Sequence, residues 1–144
     1  MSNALNGRLH QLRGAKCSSV ESLEYEERPA DPTYSVGTVV TFSDSTRLSL
    51  RFWRLIKNGK PLVSIFDHQQ KYGLPEPIDA IAMLKKELHG RTIVGAEMDE
   101  TTGDLRFEFE GDVRFEVFNF TAFEIWELTF ADGSVEYSNY AVET

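Results

Sequence analysis

The chain has 144 residues, 41% of them hydrophobic and 26% charged, with a formal net charge of −8. That length suits one domain, 1–144, whose core needs no metal or disulfide staple, and its single cysteine, Cys17, excludes an intrachain disulfide. The apolar content excludes a disordered chain, and no run approaches the ~18 apolar residues of a membrane span.

A short N-terminal helix is predicted from Leu5, Leu9 and Leu12, spaced by four and three, with Gly14 as its stop. Lys16 to Glu27 reads as a strand and the proline-bearing stretch 28–35 as a loop. Val36 to Phe42 and Arg47 to Ile56 then form a hairpin around Ser43-Asp44-Ser45. On the return strand Leu48, Leu50 and Phe52 share one face, opposite Arg47, Ser49 and Arg51. The Asn58-Gly59 turn leads to a third strand, Leu62 to Phe66. Residues 67–77 are a polar connection ending in two prolines. Ile78, Ile81, Leu84 and Leu88 make the apolar stripe of a helix over about 78–89, capped by Gly90.

The remainder is β territory. Arg91 to Met98 precedes a turn over Asp99–Asp104. Leu105, Phe107 and Phe109 alternate with Arg106, Glu108 and Glu110, and after Gly111-Asp112 the pattern resumes with Val113, Phe115 and Val117. Trp126, Leu128 and Phe130 lead through Asp132-Gly133 to a last strand with Val135 and Tyr137. The fold class is α+β: predominantly antiparallel meanders with two helices, one sheet face greasy and the other acidic and solvated.

An internal duplication is suggested by two matches. Leu12-Arg13-Gly14 with Glu21 corresponds to Leu88-His89-Gly90 with Glu97 at an offset of 76; Thr41-Phe42-Ser43-Asp44 resembles Thr129-Phe130-Ala131-Asp132 at an offset of 88. Halves 5–66 and 78–143 would each be a helix, a glycine stop and a meander.

Charge divides unevenly. Residues 1–96 hold 13 Lys/Arg and 10 Asp/Glu, net +3, whereas 97–144 hold 2 and 13, net −11. Such a surface repels nucleic acid and attracts a basic protein. The candidate docking residues are Glu108, Glu110 and Glu116 on one strand face, with Glu124 and Glu127 nearby. Charge on a strand face also blunts aggregation without binding anything. Trp53 joins the docking set if its side of the strand is solvated beside Arg51, since Trp and Arg are enriched in binding hot spots; covered by the helices, it would be core instead.

A competing set is Asp67, His68 and Tyr72, which would line a small-molecule pocket between sheet and helix, with His68 as a base. Neighbouring residues of an extended segment point apart, so these side chains equally suit a loop anchor. The DETTGD turn (99–104) is oxygen-rich but lacks EF-hand spacing, and no metal or cofactor is assigned. Cys17 lacks a local base, and no GxSxG, HExxH, phosphate loop or dinucleotide fingerprint occurs. The lone cysteine and the absence of an apolar leader read as cytoplasmic. Homodimerisation through aromatic strand faces is a third reading.

GRTIVGAEMDETTGDLRFEFEG (90–111), EVFNF (116–120), FADGSVEYSNYA (130–141) and SIFDHQQKYGLPEPIDA (64–80) resemble uncharacterised small bacterial proteins, some of them similar to immunity proteins of polymorphic toxin systems. The resemblance carries no catalytic residue. It implies a binding role, and together with the charge split and the lack of catalytic motifs it gives the expectation of a non-enzymatic protein-binding module, immunity-like or inhibitory.

Overall fold

A computed structural model describes residues 2–24, 36–120 and 125–138. In chain order these form α1 (Ser2–His10), β1 (Cys17–Glu24), β2 (Val36–Phe42), β3 (Arg47–Leu50), β4 (Trp53–Lys57), β5 (Lys60–Ser64), a 3-10 turn (Ile65–Asp67), α2 (Ala80–Leu88), β6 (Ile93–Met98), β7 (Leu105–Phe109), β8 (Val113–Val117), β9 (Trp126–Thr129) and β10 (Val135–Tyr137). The fold is α+β. The predicted strand Lys16–Glu27 is observed to Glu24; its last three residues and the predicted loop 28–35 lie outside the described residues.

The strands make two five-stranded antiparallel sheets, β1-β2-β3-β9-β10 and β5-β4-β8-β7-β6. Their inner faces meet: Phe42 of β2 stacks on Phe107 of β7 at 5.6 Å between centroids. The long return strand predicted over 47–56 is two strands in different sheets, because the chain bends at Arg51-Phe52. The bend has a plain cause. Phe52 and Trp53 are adjacent, so a straight strand would expose one of them, yet they are 7% and 0% exposed. Turning the backbone between β3 and β4 buries both. On β7 and β8 every second residue is buried, Leu105, Phe107 and Phe109 facing Val117, Phe115 and Val113 in register. Each such large side chain stabilises the fold by about 1.5–3 kcal/mol relative to exposure.

The two halves repeat one element order, a helix followed by five strands. The first half supplies β1-β2-β3 to the first sheet and lends β4-β5 to the second; the second half supplies β6-β7-β8 to the second sheet and lends β9-β10 to the first. Helices cross over as well, α1 packing on β6 and α2 on β1. The backbone bonds at the junction obey the offset of 76. Gly14 N donates to the Ile93 carbonyl (2.9 Å) and Gly90 N to the Cys17 carbonyl (2.8 Å), while Cys17 N donates to Arg91 and Ile93 N to Ala15. Gly14 and Gly90 both have positive φ, +94° and +78°, the left-handed cap that only glycine adopts cheaply. The offset-88 match does not belong to this symmetry, since the β2–β3 turn corresponds topologically to the β7–β8 turn. It reflects a shared turn chemistry: Asp44 and Asp132 each accept the amide two residues on, Thr46 and Ser134, at 2.9 Å.

Two side chains in this frame give direct tests. Cys17 is 1% exposed, and burial pushes its thiol up to about 11. The native protein should therefore resist a disulfide-exchange reagent at neutral pH and react only once unfolded; rapid labelling of the native state would contradict its placement. Asp132 binds Arg8 of α1 through both carboxylate oxygens at 3.0 Å, tying the helix to the β9–β10 turn. The Ser134 hydroxyl first, then the Ser134 amide and Arg8, hold its carboxyl down from 3.8 to about 2. A depressed carboxyl contributes stability that is present above 3.8 and lost as pH falls through about 2. A carbon-detected NMR titration should place its midpoint near 2, moving toward 3.8 in Ser134→Ala; a midpoint already at 3.8 in the native chain would refute the contact.

Candidate functional site

The outer face of the second sheet carries the predicted acidic residues, but as a lattice of alternating charge. One cross-strand row runs Glu97, Arg106, Glu116, Arg54, and the next pairs Glu108 with Arg114. Glu116 accepts from Arg54 Nε at 2.9 Å and lies 3.5 Å from Arg114. Arg106 binds Glu97 and approaches Glu108 at 3.8 Å. Glu116 is thus an internal ion-pair centre, while Glu108 and Glu110 remain exposed. Glu127 sits on β9 in the other sheet, and Glu124 lies outside the described residues.

Trp53 is core, not an exposed anchor. It faces the sandwich interior at 0% exposure, and its indole N–H donates to Thr38 Oγ1 at 3.1 Å. The second sheet face that would have exposed it is covered by the first sheet rather than by the helices. The aromatic strand residues Phe107 and Phe115 are likewise fully buried within the chain.

The Asp67, His68, Tyr72 set does not converge. Asp67 accepts the Ser64 amide at 2.9 Å and the Tyr72 hydroxyl at 3.1 Å. His68 turns to α2, where its Nδ1 accepts the Ala80 amide at 3.1 Å beside the Asp79 N-cap. An accepting Nδ1 places the ring proton on Nε2. His68 lines an open groove of about 320 Å3 with Gln69, Asp79 and Lys85, in which neither Asp67 nor Tyr72 takes part. It therefore helps start α2, as a loop anchor does. His68→Leu would strand the Ala80 amide and should cost about 1–3 kcal/mol of stability; an unchanged thermal melt would return His68 to the pool of functional candidates.

Aspartates of the 99–104 turn are also engaged by backbone. Asp99 accepts Thr101 N and Thr102 N, and Asp104 accepts Asn119 N at 2.7 Å. Among the described residues no three His, Cys, Asp or Glu side chains assemble as a metal-ligand set, and no helix is long and apolar enough to cross a membrane.

The surface that residue patterns did not reveal lies where the chain passes between sheets. Phe118 N donates to the Phe52 carbonyl at 2.9 Å, joining the β8–β9 link to the β3–β4 link. Asn119 then pins the link, its Nδ2 donating to the Thr102 carbonyl at 2.9 Å and the Ser138 carbonyl at 3.2 Å. A capping box between Ser64 and Asp67 sets the 3-10 turn that presents Phe66. The outcome is a cluster of four rings. Phe52 lies 5.9 Å from Phe66 and 5.1 Å from Phe120, and Phe118 stacks on Phe120 at 5.6 Å with Arg54 over its outer side. Phe66 is 46% exposed and Phe120 57%.

Phe118 also walls an open hollow of about 370 Å3 on the same side, lined by Glu97, Asp99, Glu100, Asp104 and Glu116 against one arginine, Arg106. Apolar rings thus border a carboxylate-rich recess. In the sequence, Phe118 and Phe120 of EVFNF (116–120) alternate past the end of β8.

No protein-family model matches this chain, and no curated protein or solved structure matches it.

Proposed function

We propose that this protein is a non-enzymatic protein-binding module, inhibitory or immunity-like in character, that captures a basic partner. The observation that carries the reading is the exposed pair Phe66 and Phe120, held by stacked neighbours beside the acidic hollow. Rigid aromatic area is what binding hot spots are made of, because it offers much contact at little entropic cost. The net −11 of residues 97–144 supplies steering toward a basic protein. A partner lysine or arginine entering the hollow would meet carboxylates, with its neighbouring apolar side chains on the rings.

The proposed docking surface is the edge of the acidic lattice rather than its whole face. Reversing Glu108, Glu110 and Glu116 together would break the pairs of Glu116 with Arg54 and Arg114 and so perturb folding along with docking. The cleaner experiment immobilises the native chain and Phe66→Ser/Phe120→Ser side by side and compares what each retains from cell lysate. A basic protein held by the native chain, released by moderate salt and missing from the variant, is the expected result. Equal retention on both would remove the aromatic cluster from the account.

A further inference from the structure

The reciprocal packing of the two halves has the form of a protein–protein interface enclosed in one chain. We propose that each half is a recognition partner for the other without the covalent link between them, and that the same surface accepts the complementary half of a second copy of this chain.

Neither half closes its own core. The first half, whose last strand is β5, leaves β3 and β4 unpaired on one side, and β9 and β8 complete them. The two ladders are mates: Leu48 opposes Leu128 and Leu55 opposes Phe115, while Leu50 opposes Trp126 and Trp53 opposes Val117. Trp53 and Trp126 occupy equivalent places, each the first residue of a lent strand and each 0–1% exposed, and each donates its indole N–H inside its own half, to Thr38 Oγ1 and to the Gly103 carbonyl. The junction bonds of Gly14, Cys17, Gly90 and Ile93 join one half to the other, and the Lys16–Thr92 bridge lies between them at the same offset of 76. Such a two-fold arrangement is self-complementary: whatever one half offers, the other accepts. A half taken from a second copy presents identical strands, caps and helix.

The covalent link is separable from this interface. Gln69 N bonds the Ile78 carbonyl and Ile78 N the Gln70 carbonyl, both at 2.8 Å, which closes the base of a loop whose residues 71–77 are all exposed. Cutting at its tip breaks neither of these bonds.

The test replaces Tyr72–Leu74 by a specific protease site in the full chain, made in an untagged and an N-terminally tagged version. The uncut variants must first show the cooperative melt and tryptophan emission of the native protein. After cleavage under native conditions the two pieces should stay together as one species of unchanged size. The two cut proteins are then unfolded, mixed and refolded, and native mass spectrometry should find tagged first halves with untagged second halves as abundantly as the parental pairs. Pieces that part on cleavage, or that never re-pair on refolding, would overturn the proposal. Re-pairing confined to the original copies, with no hybrids, would equally overturn it.

Discussion

Replacing Trp53 by alanine should lower the unfolding free energy by about 3–5 kcal/mol, the range for truncating a buried tryptophan. The ring is fully enclosed, 5.8 Å from Phe115 across the β4–β8 ladder, so its removal leaves a cavity that the facing sheet cannot fill. It also removes the donor to Thr38 Oγ1, a hydroxyl on a residue with no exposure of its own. Trp53→Phe separates these contributions. It keeps most of the packing and strips the hydrogen bond, so it should recover part of the loss and retain a cost of about 1–3 kcal/mol for the stranded polar group. Because Trp126 holds the corresponding place, Trp126→Ala should fall in the same range. Against a total of about 5–15 kcal/mol for an ordinary domain, either alanine variant spends much of the margin. Urea unfolding followed by far-UV circular dichroism measures the effect. A loss under about 1 kcal/mol at Trp53 would mean that the two sheets do not enclose it.

The second large effect is on binding and leaves the fold alone. Phe66→Ser and Phe120→Ser remove rings already about half exposed in the folded chain, so the melting temperature should change little. Each should nonetheless weaken the captured partner by about 2 kcal/mol or more, roughly 30-fold, if these rings are hot-spot anchors. Their losses should not add, since Phe52 touches both and the cluster acts as a unit. Titration calorimetry with the purified partner reads the affinity. Two variants that bind as tightly as the native chain would place the contact elsewhere.

What could be read before the structure was local. Gly14 and Gly90 end or follow helical segments as predicted, and the turns at Asn58-Gly59, Gly111-Asp112 and Asp132-Gly133 stand where their chemistry put them. The central helix begins two residues later than its apolar stripe, at Ala80, because the caps come from Asp79 and from His68, distant in the chain. Period-two alternation also named the inward residues of β7 and β8 correctly. It could not say which sheet a strand joins, so the bend at Arg51-Phe52 and the exchange of β4-β5 for β9-β10 were invisible.

The same limit shaped the candidate site. Counting acidic residues made Glu108 and Glu116 an open acidic face, but register decides charge pairing. With Phe109 opposite Val113, Arg106 must face Glu116 and Glu108 must face Arg114, and the face becomes mutually neutralising. Phe66 reads in the sequence as the end of a strand, and Phe120 as one member of the aromatic group Phe118-Asn119-Phe120, with no docking role for either. An aromatic residue near a strand end is ordinarily core, and only the links pinned by Asn119 and by the Ser64–Asp67 capping box hold these two at the surface.

The measurement that bears most directly on the proposed function is hydrogen–deuterium exchange of the native chain with and without its captured partner. The account predicts new protection at Ile65–Asp67, at 118–120 and along 97–104, the turn beside the acidic hollow, with the outer face of the first sheet unchanged. Protection confined to that first sheet, around Ser49 and Glu127, would contradict it.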